Sequence, residues 1–97
     1  MVGEVRNLKS VHVLISGRVQ GVFFRSRTKD EAQKLGLVGW VVNTPNGGVE
    51  IVAEGEKEKL EKFINWCKKG SLFAKVENVE VTWEDATGGF DDFQIHY

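Results

Sequence analysis

Hydrophobic and polar residues alternate along five short stretches of this 97-residue chain, which is the pattern of β-strands with one buried face. The clearest case places Val11, Val13 and Ile15 on one face of a strand over residues 10–16. The other predicted strands cover residues 38–42, 49–54, 79–83 and 93–97. Between the second and the third, the dipeptide Asn46-Gly47 is a strong signal for a hairpin turn.

Two stretches have the helical period instead. The first helix is predicted over residues 25–35 and ends at Gly36, a residue type that favours the left-handed cap of a helix. The second is predicted over residues 56–69, with acidic residues near its start and lysines near its end, as suits the helix dipole. Its apolar residues recur at i, i+3, i+4 and i+7 and form one stripe, which consists of Leu60, Phe63, Ile64 and Cys67.

The resulting order, βαββαβ followed by a short extra strand, predicts an α+β protein. The expected architecture is the ferredoxin-like α/β sandwich, in which two helices lie on one face of an antiparallel sheet. Residues 10–97 are predicted to form this single domain, and residues 1–9 a loose N-terminal arm. Trp40 and Trp83 occupy alternating strand positions and are predicted to be core residues, whereas Trp66 lies off the helical stripe and is expected to make a flank contact.

The composition is that of an ordinary globular domain, with 28% charged and 41% hydrophobic residues and a formal net charge of -1. That charge argues against a protein whose main task is to coat nucleic acid, but it is compatible with a small anionic ligand. The single cysteine, Cys67, excludes an internal disulfide. No apolar run is long enough for a membrane span, and the start lacks the apolar segment of a signal peptide, so we expect a cytoplasmic protein.

The predicted topology brings two distant segments together. In a split βαβ unit the first two strands run parallel, and the third lies between them. The carboxyl ends of the first two strands therefore lie at one edge of the sheet, two strand spacings or about 10 Å apart. The segment Gly17-Arg-Val-Gln-Gly-Val-Phe-Phe-Arg25 leaves one of these ends, and Asn43 leaves the other. We therefore expect one small site at this edge.

The residue types of both segments suit an anion. Glycines let several backbone N–H groups point at one ligand, the start of the following helix adds its unpaired N–H groups, and Arg25 supplies a fork of donors that matches phosphate oxygens. Asn43 has one acceptor and two donor hydrogens, so it could hold a water beside a phosphate. Each feature alone also has a simpler interpretation: a tight turn with a surface arginine, and an asparagine that caps its own turn. The segment is neither a Walker loop nor a dinucleotide-binding fingerprint.

The full string from Gly17 to Arg25 closely resembles the acylphosphatase signature, G-x-V-Q-G-V-x-F/Y-R. The stretch Gly36-Leu-Val-Gly-Trp-Val-Val-Asn43, the following Asn46-Gly47-Gly-Val-Glu50 and the ending Phe93-Gln-Ile-His-Tyr97 also resemble that family. The resemblance therefore covers nearly the whole chain, from about residue 11 to residue 97.

The resemblance implies hydrolysis of acyl phosphates to a carboxylate and inorganic phosphate, without a metal or any other cofactor. It gives phosphate binding to Arg25 and orientation of the attacking water to Asn43. It also gives the role of phosphate cradle to the loop backbone, that is, to Val19, Gln20, Gly21, Val22, Phe23 and Phe24. One departure is Val42, where many relatives have a basic residue, so a second positive charge near the site is missing. We expect a monomer whose partner is a small acyl phosphate and that binds neither nucleic acid nor membranes.

Three other functions stay open at this point. A noncatalytic ligand-binding module would have the same fold without the chemistry. An RNA-binding domain of this fold would stack bases on aromatic residues of its central strands, and the first and third predicted strands have none. The chain could also be an acylphosphatase-like domain of a larger maturation enzyme, although the initiating Met1 and the self-contained ending favour a free-standing protein.

Some residues with possible chemistry have no clear role in the sequence. His12 and His96 lie on predicted strands without a third ligand at metal spacing. The terminal carboxylate of Tyr97 could pair with Arg25, or the chain end could fray. No pocket for the acyl group is indicated, so we expect that group to project into solvent.

Overall fold

The computed structural model describes residues 7–71 and 73–97, which form a five-stranded sheet and two helices. In chain order the elements are β1 (Leu8–Arg18), α1 (Phe24–Lys34), β2 (Val38–Asn43), β3 (Val49–Glu56), α2 (Lys57–Lys69), β4 (Lys75–Asp85) and β5 (Phe93–His96). Every predicted helix and strand is present, and the ends differ from the prediction by a few residues. Residues 1–6 of the predicted arm lie outside the described residues, and β1 already begins at Leu8.

The sheet has the order β4-β1-β3-β2-β5, so β3 lies between β1 and β2 and is antiparallel to both, as predicted. The register brings the ends of β1 and β2 close together, because Val49 of β3 pairs with Ile15 on one side and with Asn43 on the other. Ile15 and Asn43 are therefore two strand spacings apart, roughly 10 Å. The two segments that were predicted to converge do meet at this edge.

One face of the sheet packs against the helices. The inward side chains of β1, β2 and β3 are buried there, namely Val11, Val13, Ile15, Val41, Val49, Ile51 and Ala53. The predicted stripe of α2 is buried as well, with Leu60, Phe63 and Cys67 fully inaccessible. Burial of one such large side chain contributes about 1.5–3 kcal/mol, so packing fixes the orientation of these elements. Within the described residues, neither helix is both long enough and apolar enough for a membrane crossing.

The last strand corrects the predicted sheet. β5 pairs with β2 in the parallel sense, so the sheet is mixed rather than wholly antiparallel. The reason is the connection after β4. Because β4 and β5 lie at opposite edges, residues 86–92 cross the width of the sheet and enter β5 at the end where β2 begins. The parallel direction brings the end of the chain to the edge where β1 and β2 end. Tyr97, predicted as part of the strand, lies just beyond it.

A buried carboxylate anchors that crossing. Glu54 of β3 is 4% exposed, and it accepts hydrogen bonds from the N–H groups of Thr87 and Gly88 at 3.1 Å and from the Thr87 hydroxyl at 2.8 Å. Burial by itself would raise the pKa of the Glu54 carboxyl, but these bonds and one from the Ser10 side chain outweigh it and hold the pKa below its ordinary value. The ionised carboxylate therefore stabilises the path of the chain toward β5.

Two of the three tryptophans are not the core residues that alternation predicts. Trp40 is half-buried on the face opposite to the helices, and Trp83 is 41% exposed on the edge strand β4. Alternation identifies two faces of a strand but does not tell which one the helices cover, and Trp40 lies on the uncovered face. Trp83 pairs with the buried Val11 and so lies on the helix side, but it stays exposed because β4 is an edge strand. Trp66 makes the predicted flank contact, since its ring lies against those of Phe24 and Phe63.

Candidate active site

The segment that leaves β1 begins with a bulge. The pairing of β1 with β4 changes register between Ser16 and Gly17, where Gly17 has a φ of 127°. A Cβ atom at this position would lie 2.1 Å from the backbone oxygen of Lys75, so only glycine allows the two strands to approach so closely. The bulge ends the regular pairing and starts the turn toward α1.

The loop between β1 and α1 has two residues in the left-handed region. Gly21 has a φ of 72°, and Phe23 has a φ of 61° and a ψ of 21°. For a phenylalanine such a conformation costs on the order of 1–3 kcal/mol. Left-handed residues that alternate with ordinary ones turn successive N–H groups to one side and form a concave nest for anions. The torsion angles of this loop are those expected of an anion-binding nest.

Helix α1 begins without a side-chain cap. Its N-cap residue is Phe23, whose side chain cannot accept a hydrogen bond, and no acidic residue lies in the first turn. The first intrahelical bond runs from the Arg27 N–H to the Phe23 carbonyl at 3.0 Å, so the N–H groups of residues 24–26 are outside the helix ladder. These N–H groups and the positive end of the helix dipole favour an anion at this point.

Arg25 lies in the first turn of α1 and is held by the end of the chain. Its Nη1 donates a hydrogen bond to the carbonyl oxygen of His96 at 2.9 Å, and its guanidinium carbon lies 4.6 Å from the centroid of the Tyr97 ring. The structure places the ring of Tyr97 beside Arg25, whereas the pairing of Arg25 with the terminal carboxylate stays a prediction. The His96 bond uses one of the five donor hydrogens of the guanidinium and leaves others for a ligand.

Asn43 is the last residue of β2 and is half-buried. Its Oδ1 atom is buried and has no hydrogen-bond partner among the described residues. An orphaned buried acceptor costs about 1–3 kcal/mol, which a bound donor such as water would offset. The oxygen therefore does not cap its own turn, a role that the Thr44 hydroxyl takes by accepting the Gly48 N–H at 3.1 Å.

Arg25, Asn43 and the loop line one open pocket of about 270 Å³. The full lining is Val19, Gly21, Phe23, Phe24, Arg25, Ser26, Asn43, Ile95 and Tyr97. Two residues of the predicted cradle, Gln20 and Val22, do not line the pocket, and Val22 packs against the core instead. Within the described part of the chain the lining has no aspartate, glutamate or histidine side chain.

The side chain of Gln20 has a function that the sequence did not indicate. Its Nε2 donates hydrogen bonds to the carbonyl oxygens of Thr44 and Gly48, at 2.8 Å each. Both acceptors belong to the hairpin turn that follows Asn43, so Gln20 ties the loop to that turn. The acceptors are main-chain atoms, which every residue type has, and only the predicted proximity of the two segments could have suggested the contact.

Two further lining residues, Ser26 and Ile95, were also missed. Ser26 follows Arg25 in the first turn of α1, and its residue type gave no signal that it would line the pocket. Ile95 reaches the pocket because β5 runs parallel to β2, which the alternation pattern does not indicate.

Other groups with possible chemistry lie away from this pocket. Burial, together with the negative charge of Glu31, raises the pKa of the Cys67 thiol, which therefore stays protonated in the core. His12 lies 2.6 Å from a carboxylate oxygen of Glu50. Within residues 7–71 and 73–97, no three His, Cys, Asp or Glu side chains are grouped so that they could hold a metal ion.

Comparison with known proteins identifies a family for most of the chain. A model of the acylphosphatase family matches residues 11–95. An acylphosphatase of Pelotomaculum thermopropionicum is 50% identical over 86 residues, which cover 89% of this chain and 94% of that protein. The crystal structure of the acylphosphatase from Bacillus subtilis has a TM-score of 0.88 at 42% identity and covers 92% of this chain and 99% of that one. The structure of full-length HypF, in its phosphate- and nucleotide-bound form, has a TM-score of 0.89 at 31% identity and covers 99% of this chain but 13% of that one.

Proposed function

The chain belongs to the acylphosphatase family, and from that membership we propose that it cleaves the carboxyl–phosphate bond of acyl phosphates by direct attack of water on phosphorus. In this proposal Arg25 and the amides of the loop bind the phosphate, and Asn43 orients the water. The observation that carries it is that Arg25, Asn43 and the uncapped start of α1 line the same pocket.

The chemistry of the substrate explains how so few groups suffice. The leaving group is a carboxylate, whose conjugate acid has a pKa of roughly 4 to 5, so it departs without a general acid. The lining accordingly needs no acidic side chain or histidine. Phosphoryl transfer has a loose transition state with charge on the equatorial oxygens, so catalysis depends on positioning and electrostatic stabilisation.

Arg25 and the loop amides stabilise the negative charge on the equatorial phosphate oxygens in the transition state. Residues 24–26 offer N–H groups outside the helix ladder, and the guanidinium offers a fork of donors that matches two phosphate oxygens. The bond from Nη1 to His96 and the Tyr97 ring restrict the motion of that fork, so less entropy is lost when phosphate binds.

Asn43 positions the attacking water. The orphaned Oδ1 accepts a hydrogen bond from the water, while Nδ2 donates to a phosphate oxygen. The water oxygen forms a bond to phosphorus as the bond from phosphorus to the acyl oxygen breaks, and the electron pair of that bond leaves with the carboxylate. A phosphate oxygen accepts the proton of the water, so the products are the carboxylate and inorganic phosphate.

Release of inorganic phosphate from acetyl phosphate by the purified chain tests this proposal. We expect turnover in the absence of added metal, unchanged by EDTA and competitively inhibited by phosphate. Binding of phosphate without turnover would instead indicate a noncatalytic module, and loss of activity in EDTA that added metal restores would reject the metal-free mechanism. A monomeric state and a cytoplasmic location stay predictions.

A further inference from the structure

His96 makes two contacts of different kinds near the end of the chain. Its main-chain carbonyl accepts the hydrogen bond from Arg25 at 2.9 Å, whereas its ring stacks on that of Trp40, with the centroids 5.6 Å apart and the planes inclined by 15°. Successive side chains of a strand point to opposite faces of the sheet. Because Ile95 lines the pocket and Val41 is buried beneath the helices, the two stacked rings lie on the face that the helices leave uncovered. His96 therefore links Arg25 to a side chain on that open face.

The strand that carries His96 is held unequally at its two ends. β5 has four residues and lies at an edge of the sheet, and a terminal segment of this length frays unless other groups hold it. Its first residue is anchored in the core, since Phe93 is 2% exposed and its ring lies 6.3 Å from that of Phe63. At the other end both His96 and Tyr97 are exposed. The contact with Trp40 is therefore the anchor that the His96 side chain adds to the pairing of β5 with β2.

Trp40 is well placed to act as this anchor. It is half-buried and belongs to β2, which lies between β3 and β5 in the sheet. Stacked aromatic rings shift an equilibrium by about 2- to 10-fold beyond the effect of the area that they bury. The same strand ends at Asn43, whereas Arg25 is carried by α1. The stacked rings thus connect the guanidinium, through the His96 carbonyl, to the strand that carries the amide.

We propose, on the basis of the proposed function, that Trp40 is a positioning residue of the site. By stacking on His96 from the open face, it holds the carbonyl that fixes Arg25 and so sets the guanidinium relative to Asn43. Trp40 does not line the pocket, so it acts on phosphate only through His96 and Arg25. A tryptophan that the helices do not cover thereby has a function in the site.

Loss of the stacked rings should weaken the binding of phosphate. Without them the end of β5 frays in part of the molecules, and the guanidinium must then be ordered when the anion binds. We expect Trp40→Leu to raise the Kd of inorganic phosphate about 3- to 10-fold, and to lower kcat/KM for acetyl phosphate by at least the same factor. A merely structural role would have another signature. It would reduce the fraction of folded protein and the apparent kcat, while the folded molecules would bind phosphate with an unchanged Kd.

Titration with inorganic phosphate, followed by NMR, gives the Kd of the wild type, Trp40→Leu, Trp40→Phe and Trp83→Leu. Trp40→Phe keeps a ring that can stack on His96 and should have a Kd within about 2-fold of the wild type. Trp83→Leu is the matched control, because Trp83 lies on the opposite edge strand and does not line the pocket. It should leave the Kd unchanged. A Kd of Trp40→Leu equal to that of the wild type, or of Trp83→Leu raised as much as that of Trp40→Leu, would reject the positioning role.

A double-mutant cycle tests whether the effect passes through His96. His96→Leu removes the ring from an exposed position but keeps the carbonyl that accepts from Arg25, so it also tests the proposal if Trp40→Leu does not fold. It should raise the Kd of phosphate as Trp40→Leu does, and the double variant should raise it no further.

Independent, additive effects of the two substitutions would reject His96 as the link. Turnover of acetyl phosphate by the wild type, with a Kd of phosphate insensitive to Trp40→Leu and His96→Leu, would reject the positioning role and leave the hydrolase intact. Neither turnover nor phosphate binding by the wild type would reject the proposed function, and the positioning role with it.

Discussion

The Arg25 guanidinium donates a hydrogen bond to the main-chain carbonyl of His96, a residue 71 positions further along the chain, at 2.9 Å. The arginine that we assign to phosphate is thus held by the last strand of the fold. That strand reaches the site through the crossing that Glu54 anchors, so the position of Arg25 depends on contacts made across the whole sheet.

Replacement of Arg25 by lysine should remove most of the activity. A lysine has a point charge and cannot donate to His96 and to two phosphate oxygens in one plane. Loss of one such donor typically costs about 3–4 kcal/mol, so we expect kcat/KM for acetyl phosphate to fall on the order of 10²- to 10³-fold. Arg27→Lys is the matched control, since Arg27 is exposed on the same helix and does not line the pocket. A near-normal rate for Arg25→Lys would contradict the assignment.

Replacement of Asn43 by alanine should lower kcat far more than the affinity for phosphate. The side chain places the water and donates only one hydrogen bond to phosphate, whereas Arg25 and the loop amides hold the anion with several donors. The inhibition constant of phosphate should therefore change by no more than about 3-fold. Steady-state kinetics with phosphate as inhibitor gives both quantities, and Asn78→Ala on the exposed surface of β4 serves as control. If kcat held while inhibition by phosphate disappeared, the role of Asn43 would be to bind phosphate and not to place the water.

Gln20→Glu should make the activity depend on pH in a new way. The Gln20 amide donates to two carbonyl oxygens, and a carboxylate at the same place would repel both of them and separate the loop from the turn after Asn43. A displacement of this kind costs about 10- to 100-fold in kcat near pH 7. Below a pH of about 5 the protonated glutamate can donate one bond, so the ratio of variant to wild-type kcat should rise.

The control for this prediction is Gln33→Glu, which introduces the same charge at an exposed position of α1. A pH profile of Gln20→Glu parallel to that of the wild type would show that Gln20 does not position the loop through these bonds.

Glu54→Gln should destabilise the fold near neutral pH by roughly 1–3 kcal/mol, because a charged acceptor of several hydrogen bonds is replaced by a group that places a donor against Thr87. The pKa of Glu54 in the folded state lies below its ordinary value of 4.5, so its charge stabilises the fold above about pH 4.5. That contribution is lost as the pH falls through the lower pKa of the folded state.

Denaturant unfolding of both proteins from pH 7 to pH 3 measures this effect. The difference in unfolding free energy between wild type and Glu54→Gln should be largest near pH 7 and shrink below about pH 4.5. Glu77→Gln, on the exposed edge strand, should show a much smaller difference. A constant difference between the wild type and Glu54→Gln over the whole range would mean that the charge of Glu54 does not stabilise the fold.

Periodicity was sufficient for most of the fold. The stripe of Leu60, Phe63, Ile64 and Cys67 and the alternation over residues 11–15 arise from helix and strand geometry, so they appear in the sequence and in the core alike. The direction of β5 and the exposure of Trp83 were not predictable in this way. Both depend on which edge of the sheet a strand joins, and that is decided by long-range contacts such as Glu54 with Thr87.

The candidate site, like the fold, was predictable from the sequence only in part. Gly17 to Arg25 and Asn43 could be identified because their residue types and the strand order both indicate an anion site at one sheet edge. The bonds of Gln20 and the contact of Arg25 with His96 end on main-chain oxygens, which carry no sequence signal. Ile95 lines the pocket because β5 runs parallel to β2, and the alternation of hydrophobic and polar residues does not indicate this direction.

Titration of the ¹⁵N-labelled protein with inorganic phosphate, followed by NMR, tests the central claim most directly, because it locates the anion without any assumption about turnover. We predict saturable shifts of the backbone amides of residues 19–26 and of the side-chain signals of Arg25 and Asn43, with little change on the open face of the sheet. Saturable shifts elsewhere on the protein, or none in this loop at phosphate concentrations that inhibit the enzyme, would contradict the account.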